Sequence, residues 1–422
     1  MNGQAAAGNH PVDADRIWAD LMDLAAITDP GRPYTRRSFS PRFLEGRAWL
    51  ADRFRAAGLE TRIDPAGNLI GRLEGTEPEA GTIALGSHSD TVPDGGRFDG
   101  TAGVLVALGI ARTIVGQGIR LRHSLEIIDC LAEEVSEFGL SCIGSRGLAG
   151  ALTPQSLDLR KPDGESLREA IARVGGDPDR IAVVARDDIR AWLELHIEQG
   201  RVLEEAGVDL GIVTSVVGIT RVEIEVSGMA DHAGTTPMHL RHDALVAAAG
   251  MVAEVRRLAL RRIEAGGGYF VATTGELTVT PNAANVVPGK VRLLVEARGE
   301  APDSIKVFLG ELAQGTRRIA EASGVTLSSY RLLSEAPPTP FDPGLVSTLE
   351  AAASRNGVSF VRLPSGAGHD AVFFSRIAPT AMIFVPSRAG RSHCPEEWTD
   401  KQELALGALV QFDAILELDR SG

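Results

Sequence analysis

"TIALGSHSDTVPDGGRFDGTAGVLVALGIARTIVGQG", residues 82–118, decides how the chain folds. It opens on "TIALG", which reads as a buried strand, and closes on a helical stretch with Val104, Leu108, Ala111 and Val115 on one stripe. Strand, loop, helix is the repeating unit of a sheet covered on both faces. The loop is the unusual part. It sets His88 and Asp90 directly after the strand and reaches Asp99 across a glycine-rich link. One imidazole and two carboxylates are too polar for a core, and too closely spaced around a strand end for ordinary surface decoration.

Upstream, "PRFLEGRAWLADRFRAAG" spaces Phe43, Leu50, Phe54 and Ala57 as a helix ended by Gly58. "LETRIDPAGNLIGRLEG" reads as two short strands around a turn with Pro65, Gly67 and Asn68. Downstream, "HSLEIIDCLAEE" is strand-like through Leu131. The pattern changes near residue 216, where "TRVEIEVSGM" alternates Val222, Ile224 and Val226 with polar neighbours. A helix from about Asp243 to Leu260, the strands "YFVATTGELTVT" and "KVRLLVEARG", a helix in "DSIKVFLGELAQGTRRIAEASG" and the strand "VTLSSYRLL" follow. That β-α-β-β-α-β order is the ferredoxin-like unit. Pro-rich "SEAPPTPFDPG" then returns to α/β sequence, ending on a helix from about Lys401 to Leu418. The expected architecture is an α/β catalytic domain with a central sheet, residues 1–215 and 331–422. An inserted ferredoxin-like α+β domain, residues 216–330, interrupts it.

The bulk numbers suit such a molecule. With 422 residues, 44% of them hydrophobic, the chain is long enough for two cores. A net charge of −13 argues against a nucleic-acid partner, which needs clustered Lys and Arg. Cys130, Cys142 and Cys394 are an odd number without repeating spacing, so a reducing compartment fits better than a disulfide framework. The first residues lack a basic start and apolar stretch, and no run approaches the ~20 apolar residues a membrane span needs. A cytoplasmic protein is expected.

Besides the opening stretch, five places carry chemistry: "LAEEVSEFG" with Glu133 and Glu134, "LELHIEQG" with His196, "DHAGTTPM" with His232, "PSGAGHDA" with His369, and "RSHCPEEWTD" with His393. Singly, each has an ordinary explanation, because isolated histidines mostly satisfy local polar groups and glutamate pairs favour helix starts. Together, His88, Asp99, Glu134, His196 and His393 mix imidazole and carboxylate as zinc and its neighbours require. Asp99 can bridge two ions through its two oxygens. Asp90 suits orienting the His88 ring. Of two adjacent glutamates, one can ligate while the other takes a proton from an activated water. This is a hydrolase pattern.

"GSHSDTVPDGGRFDG", the "EE" pair, "HIEQG", "DHAGTTPM", "NVVPG" and "GAGHDA" together resemble the metal-dependent M20-type amidohydrolases. The branch they resemble is the hydantoinase/carbamoylase group, which includes N-carbamoyl-L-amino-acid hydrolases, β-ureidopropionases and allantoate amidohydrolases. The likeness runs from about residue 35 to about 415. It implies two divalent ions, zinc first, with manganese, cobalt or nickel admitted by the same donors. One would sit on His88, Asp99 and His196, the other on Asp99, Glu134 and His393. Glu133 would be the general base and Asp90 would orient His88. The inserted domain would be a dimerisation lid, with His232 stabilising the oxyanion in a neighbouring subunit. Gln199, Arg221, Asn285, Arg298 and the loop carrying Gly368 and His369 would meet a small carboxylated substrate. The common continuation "EEGSRF" is replaced by "EEVSEF", so Val135 and Glu137 alter the loop beside the pair.

The leading function is cleavage of a linear C–N bond in an N-carbamoyl (ureido) amino acid. Allantoate hydrolysis, N-acyl amino acid or dipeptide hydrolysis, and an inactive metal-binding homologue are the alternatives. The intact Glu133–Glu134 pair weighs against the last.

Overall fold

The computed structural model describes residues 11–181 and 186–421. The chain forms two compact units. The first takes the chain up to Thr214, Phe341–Leu363, and everything from His369 onward. The second comprises Ser215–Pro340 and Pro364–Gly368.

The chain lays down six strands first: β1 (Glu60–Ile63), β2 (Leu69–Leu73), β3 (Thr82–His88), β4 (Ser124–Cys130), β5 (Ile189–Ile197) and β6 (Leu210–Val216). Four more follow, β7 (Gly218–Ser227), β8 (Phe270–Thr280), β9 (Lys290–Gly299) and β10 (Thr326–Ala336). The last three are β11 (Thr339–Pro340), β12 (Phe360–Ser365) and β13 (Thr380–Val385). The large sheet runs β1-β2-β4-β3-β5-β13-β6-β11, with β12 on β6. Its centre, β4-β3-β5-β13, is parallel, and its flanking pairs β2/β4 and β13/β6 are antiparallel. Every residue of β3, β4 and β13 is buried, which explains why these strands read as continuous apolar runs.

The helix Thr101–Gly116 follows β3 and is buried on nearly all sides from Thr101 to Ala111. The single stripe expected for it is therefore too narrow along the body of the helix, and Val115, expected on that stripe, is instead 43% exposed in the last turn. The helix Pro41–Ala56 starts where Ser40 accepts a hydrogen bond from the Phe43 amide. The β1–β2 hairpin closes over Pro65–Asn68. All three cysteines are free of disulfides. Among the described residues no helix is long and apolar enough to cross a membrane.

The second unit is the four-stranded antiparallel sheet β10-β7-β9-β8. Its helices are Ala244–Glu264, capped by Asp243, and Pro302–Ala322. Val222, Ile224 and Val226 of β7 meet Met251, Val255, Phe308 and Leu312 in its core. Strand β8 lies at an edge, with Val271 40% and Leu277 43% exposed. The unit extends past the expected boundary at 330. Strand β10 keeps pairing with β7 as far as Ala336 opposite Ile219, and the turn into the Pro-rich segment comes only afterwards. Residues 364–368 join it because Val217 N–H donates to Ser365 and the Arg298 guanidinium donates to the Gly366 carbonyl.

Candidate active site

The parallel strands end together, and their carboxyl ends carry the donors, where an open α/β sheet places its ligands. His88 is the last residue of β3, and His196 is the penultimate residue of β5. Glu133 and Glu134 follow β4, and His393 lies in the loop after β13. Two donor sets result, His88/Asp99/His196 and Asp99/Glu134/His393, with the ligand atoms of each set within 4.8 Å of one another. Asp99 belongs to both. Its Oδ1 is 3.2 Å from His196 Nε2 and 3.5 Å from His88 Nε2. Its Oδ2 is 3.2 Å from His393 Nε2, which is also 3.2 Å from Glu134.

The imidazoles are oriented for lone-pair donation. His88 Nδ1 lies 3.0 Å from the Asp90 carbonyl and His196 Nδ1 lies 2.9 Å from the Ile197 carbonyl. Each contact places a proton on Nδ1 and leaves Nε2 to face the donor set. His88 Nε2 is buried and has no hydrogen-bond partner. Gly100 stands at φ +63, and a Cβ there would lie 2.3 Å from His88 Nε2, so only glycine fits beside the ring.

The electrostatics call for positive charge. Burial opposes a charge on the His88 ring, yet Glu133, Asp90 and Asp99 outweigh it and hold its pKa well above the ordinary value. His196 is raised in the same way, burial being overcome by Asp99. His393 is pushed up to about 11 by Asp99 and Glu134. Burial works against the Asp99 carboxylate, but the rings of His196, His393 and His88 hold it well below the usual range. The buried set of His88, Asp99 and His196, with its orphaned imidazole nitrogen, and the more open set of Asp99, Glu134 and His393 both mix N and O donors as a divalent cation requires.

Glu133 belongs to neither set. One of its oxygens is 3.6 Å from His88 Nε2, and the other is 3.5 Å from the Cys142 thiol. Burial pushes its carboxyl well above the ordinary value, Glu134, Asp370 and Asp90 adding to the effect and His88 opposing it. Asp90 serves both neighbours. Its main-chain carbonyl meets His88 Nδ1, its carboxylate Oδ1 lies 3.6 Å from the same nitrogen, and its two carboxylate oxygens accept from the amides of Glu133 (3.2 Å) and Glu134 (3.3 Å). Backbone strain gathers at the same place: Ala132, Cys142, Gln199 and His393 all have left-handed φ.

Gln199 donates its amide to Asp99 Oδ2 at 2.7 Å. His369 is 1% exposed and packs its ring edge-on against His196 at 4.5 Å, burial holding its pKa well below the ordinary value. Val135 is 66% exposed, and Glu137 lies 3.7 Å from Arg37.

The remaining expected residues lie in the second unit. Arg221 and Arg298 both bond Glu296, at 2.7 and 2.8 Å, through opposite carboxylate oxygens. His232 is exposed, and its Nδ1 accepts from the amides of Gly234 and Thr235, which leaves the proton on Nε2. Asn285 is exposed, its carbonyl accepting from Ala233, and Gly368 ends the unit's second segment. Sequence reasoning missed Cys142, Ser392 and Glu397, although the last two lie within the "RSHCPEEWTD" motif.

The sequence matches peptidase family M20/M25/M40 over residues 84–417. The chain belongs to this family. M20 enzymes are metal-dependent hydrolases, in keeping with the donor sets. The chain is 41% identical to an N-carbamoyl-L-amino-acid amidohydrolase of Paenarthrobacter aurescens, over 96% of this chain and 98% of that protein. It is 34% identical to an allantoate amidohydrolase of Bacillus subtilis, over 94% and 95% of the two chains. A hydantoinase/carbamoylase family amidase of Burkholderia multivorans shares the M20 fold at a TM-score of 0.89 and 34% identity, covering 96% of this chain and 98% of that one.

Proposed function

We propose that this M20 chain is a dinuclear metal-dependent amidohydrolase that cleaves the linear C–N bond of an N-carbamoyl amino acid, releasing the amino acid, ammonia and CO2. The observation that carries the proposal is Asp99, shared between two three-residue donor sets with Glu133 free beside them. His88, Asp99 and His196 would hold one cation, and Asp99, Glu134 and His393 the other, with zinc the first candidate. When bound, such a pair polarises the scissile carbonyl and acidifies water.

Glu133 is the general base. It takes the proton of the attacking water and returns it to the leaving nitrogen. Its place 3.6 Å from His88 Nε2, outside both donor sets, leaves its carboxylate available for both transfers. Asp90 holds the amides of the glutamate pair, so the base and the ligand next to it keep fixed places. Arg221 and Arg298 are assigned the substrate carboxylate, which a planar guanidinium receives through paired hydrogen bonds. Asn285, Gln199 and the Gly368–His369 loop are assigned neighbouring substrate contacts.

A substrate panel tests the proposal: N-carbamoyl-L-amino acids, β-ureidopropionate, allantoate, N-acetyl amino acids and dipeptides, each with zinc, manganese, cobalt or nickel. Turnover with ammonia release on the N-carbamoyl acids is expected. Preference for allantoate would move the chain to the function of its Bacillus subtilis relative. Silence on every substrate with ions bound would leave a metal-binding homologue.

The second unit is assigned the role of a lid that pairs two copies of the chain. The exposed edge strand β8 supports this assignment. His232, exposed and protonated on Nε2, is assigned the oxyanion in the neighbouring copy. Its replacement by alanine is expected to lower kcat about 100-fold, the usual cost of losing one such donor. Mixing His232→Ala chains with Glu133→Gln chains should recover part of the activity. Mixtures no more active than their components would refute a site completed in trans.

A further inference from the structure

We propose that Glu397 is a positioning residue for the cation site of Asp99, Glu134 and His393, acting with the Ser392 hydroxyl, and that without this latch that site empties before its neighbour. The inference rests on the dinuclear reading above.

Glu397 is fully buried, and no Lys or Arg pairs with it among the described residues. A buried carboxylate without a cation is costly unless its oxygens are occupied. Three donors occupy them. The amides of Phe98 and Asp99 donate to Oε1 at 2.8 and 3.0 Å, and Ser392 Oγ lies 2.8 Å from Oε2. One of these donors is ligand Asp99 itself, and another is the residue before ligand His393. A single side chain thus ties together two ligand-bearing segments 293 positions apart.

Ser392 adds a second tie. Its hydroxyl is also 2.9 Å from Asp99 Oδ2, so its one proton lies between two carboxylates. The space around the latch leaves no slack. A Cβ on Gly96 would lie 1.9 Å from the Glu397 carboxyl. Next to it, the Trp398 ring packs edge-on against Phe98 at 5.6 Å and Trp18 at 5.3 Å.

The two donor sets depend on this latch unequally. His88 and His196 end strands of the sheet, and carbonyls of their own segments orient them. Asp99 turns Oδ1 toward those rings and Oδ2 toward Ser392 and His393. His393 has no strand behind it. It stands at φ +55 in a loop, with its side chain 49% exposed, and its neighbours must hold it there.

The test measures metal binding rather than turnover. Zinc is titrated against a chromophoric chelator into metal-free wild type, Ser392→Ala and Glu397→Gln, and cobalt(II) spectra report the ligand field of each ion. Gln keeps an acceptor for the two amides but offers Ser392 an amide donor. Wild type is expected to take up two ions. Both variants should keep the first affinity and weaken the second about tenfold or more, as loss of a group behind a ligand does. A purely structural role would lower the melting temperature and weaken both sites in parallel. Parallel weakening, or two wild-type affinities in both variants, overturns the inference. Should Glu397→Gln fail to fold, Ser392→Ala decides the matter alone. Wild type that takes up fewer than two ions overturns the dinuclear reading itself, a different result from unequal loss failing to appear.

Discussion

Glu133→Gln is expected to lower kcat by roughly three orders of magnitude, within the usual span for a lost general acid–base group, and to leave metal content at the wild-type level. The amide keeps the shape of the side chain and can still meet the Cys142 thiol, but it cannot accept and return a proton. Because Glu133 lies outside both donor sets, its loss should not release ions. Stopped-flow turnover together with metal analysis of the same sample checks both halves of the expectation. Full activity in Glu133→Gln would remove the base assignment, and lost metal would make Glu133 a ligand instead.

Asp99→Asn should have the wider effect. Each oxygen of Asp99 serves a different donor set, so a single substitution disables both. A neutral amide also takes away the charge that offsets three imidazoles. Activity should fall to that of metal-free protein, and metal analysis should find both ions missing. His196→Ala and His393→Ala should each lose one. Wild type should melt higher as zinc is added, by about 2.7 kcal/mol of stabilisation at a hundred times the dissociation constant. Asp99→Asn should show almost no such rise. One ion retained by Asp99→Asn would mean that the two sets are independent and that the shared carboxylate is a neighbour, not a bridge.

The clustering of these donors was legible in the sequence for a physical reason. His88, Glu134 and His196 are polar groups at the ends of apolar runs, and a core tolerates such groups only with a purpose. The inserted unit was legible because β7 alternates with period two amid continuous apolar strands. Its far boundary was not, because hydrogen bonds carry β10 past the apolar pattern, and residues 364–368 join through contacts distant in sequence. Roles set by direction rather than residue type were also hidden. Asp90 was visible as a carboxylate beside a histidine, but only the fold shows that its oxygens also hold the amides of Glu133 and Glu134. Glu397 carried no such signal, since two of its three donors lie 298 and 299 positions away.

The Arg221–Glu296–Arg298 cluster has a consequence for the end of the catalytic cycle. Two guanidinium groups sharing one carboxylate present a single net positive charge instead of two. In the role proposed for them, they would recognise the anionic end of an incoming molecule without gripping it. An amino acid product would carry the same anionic end, so the softened field would let it depart and would keep turnover from stalling on release.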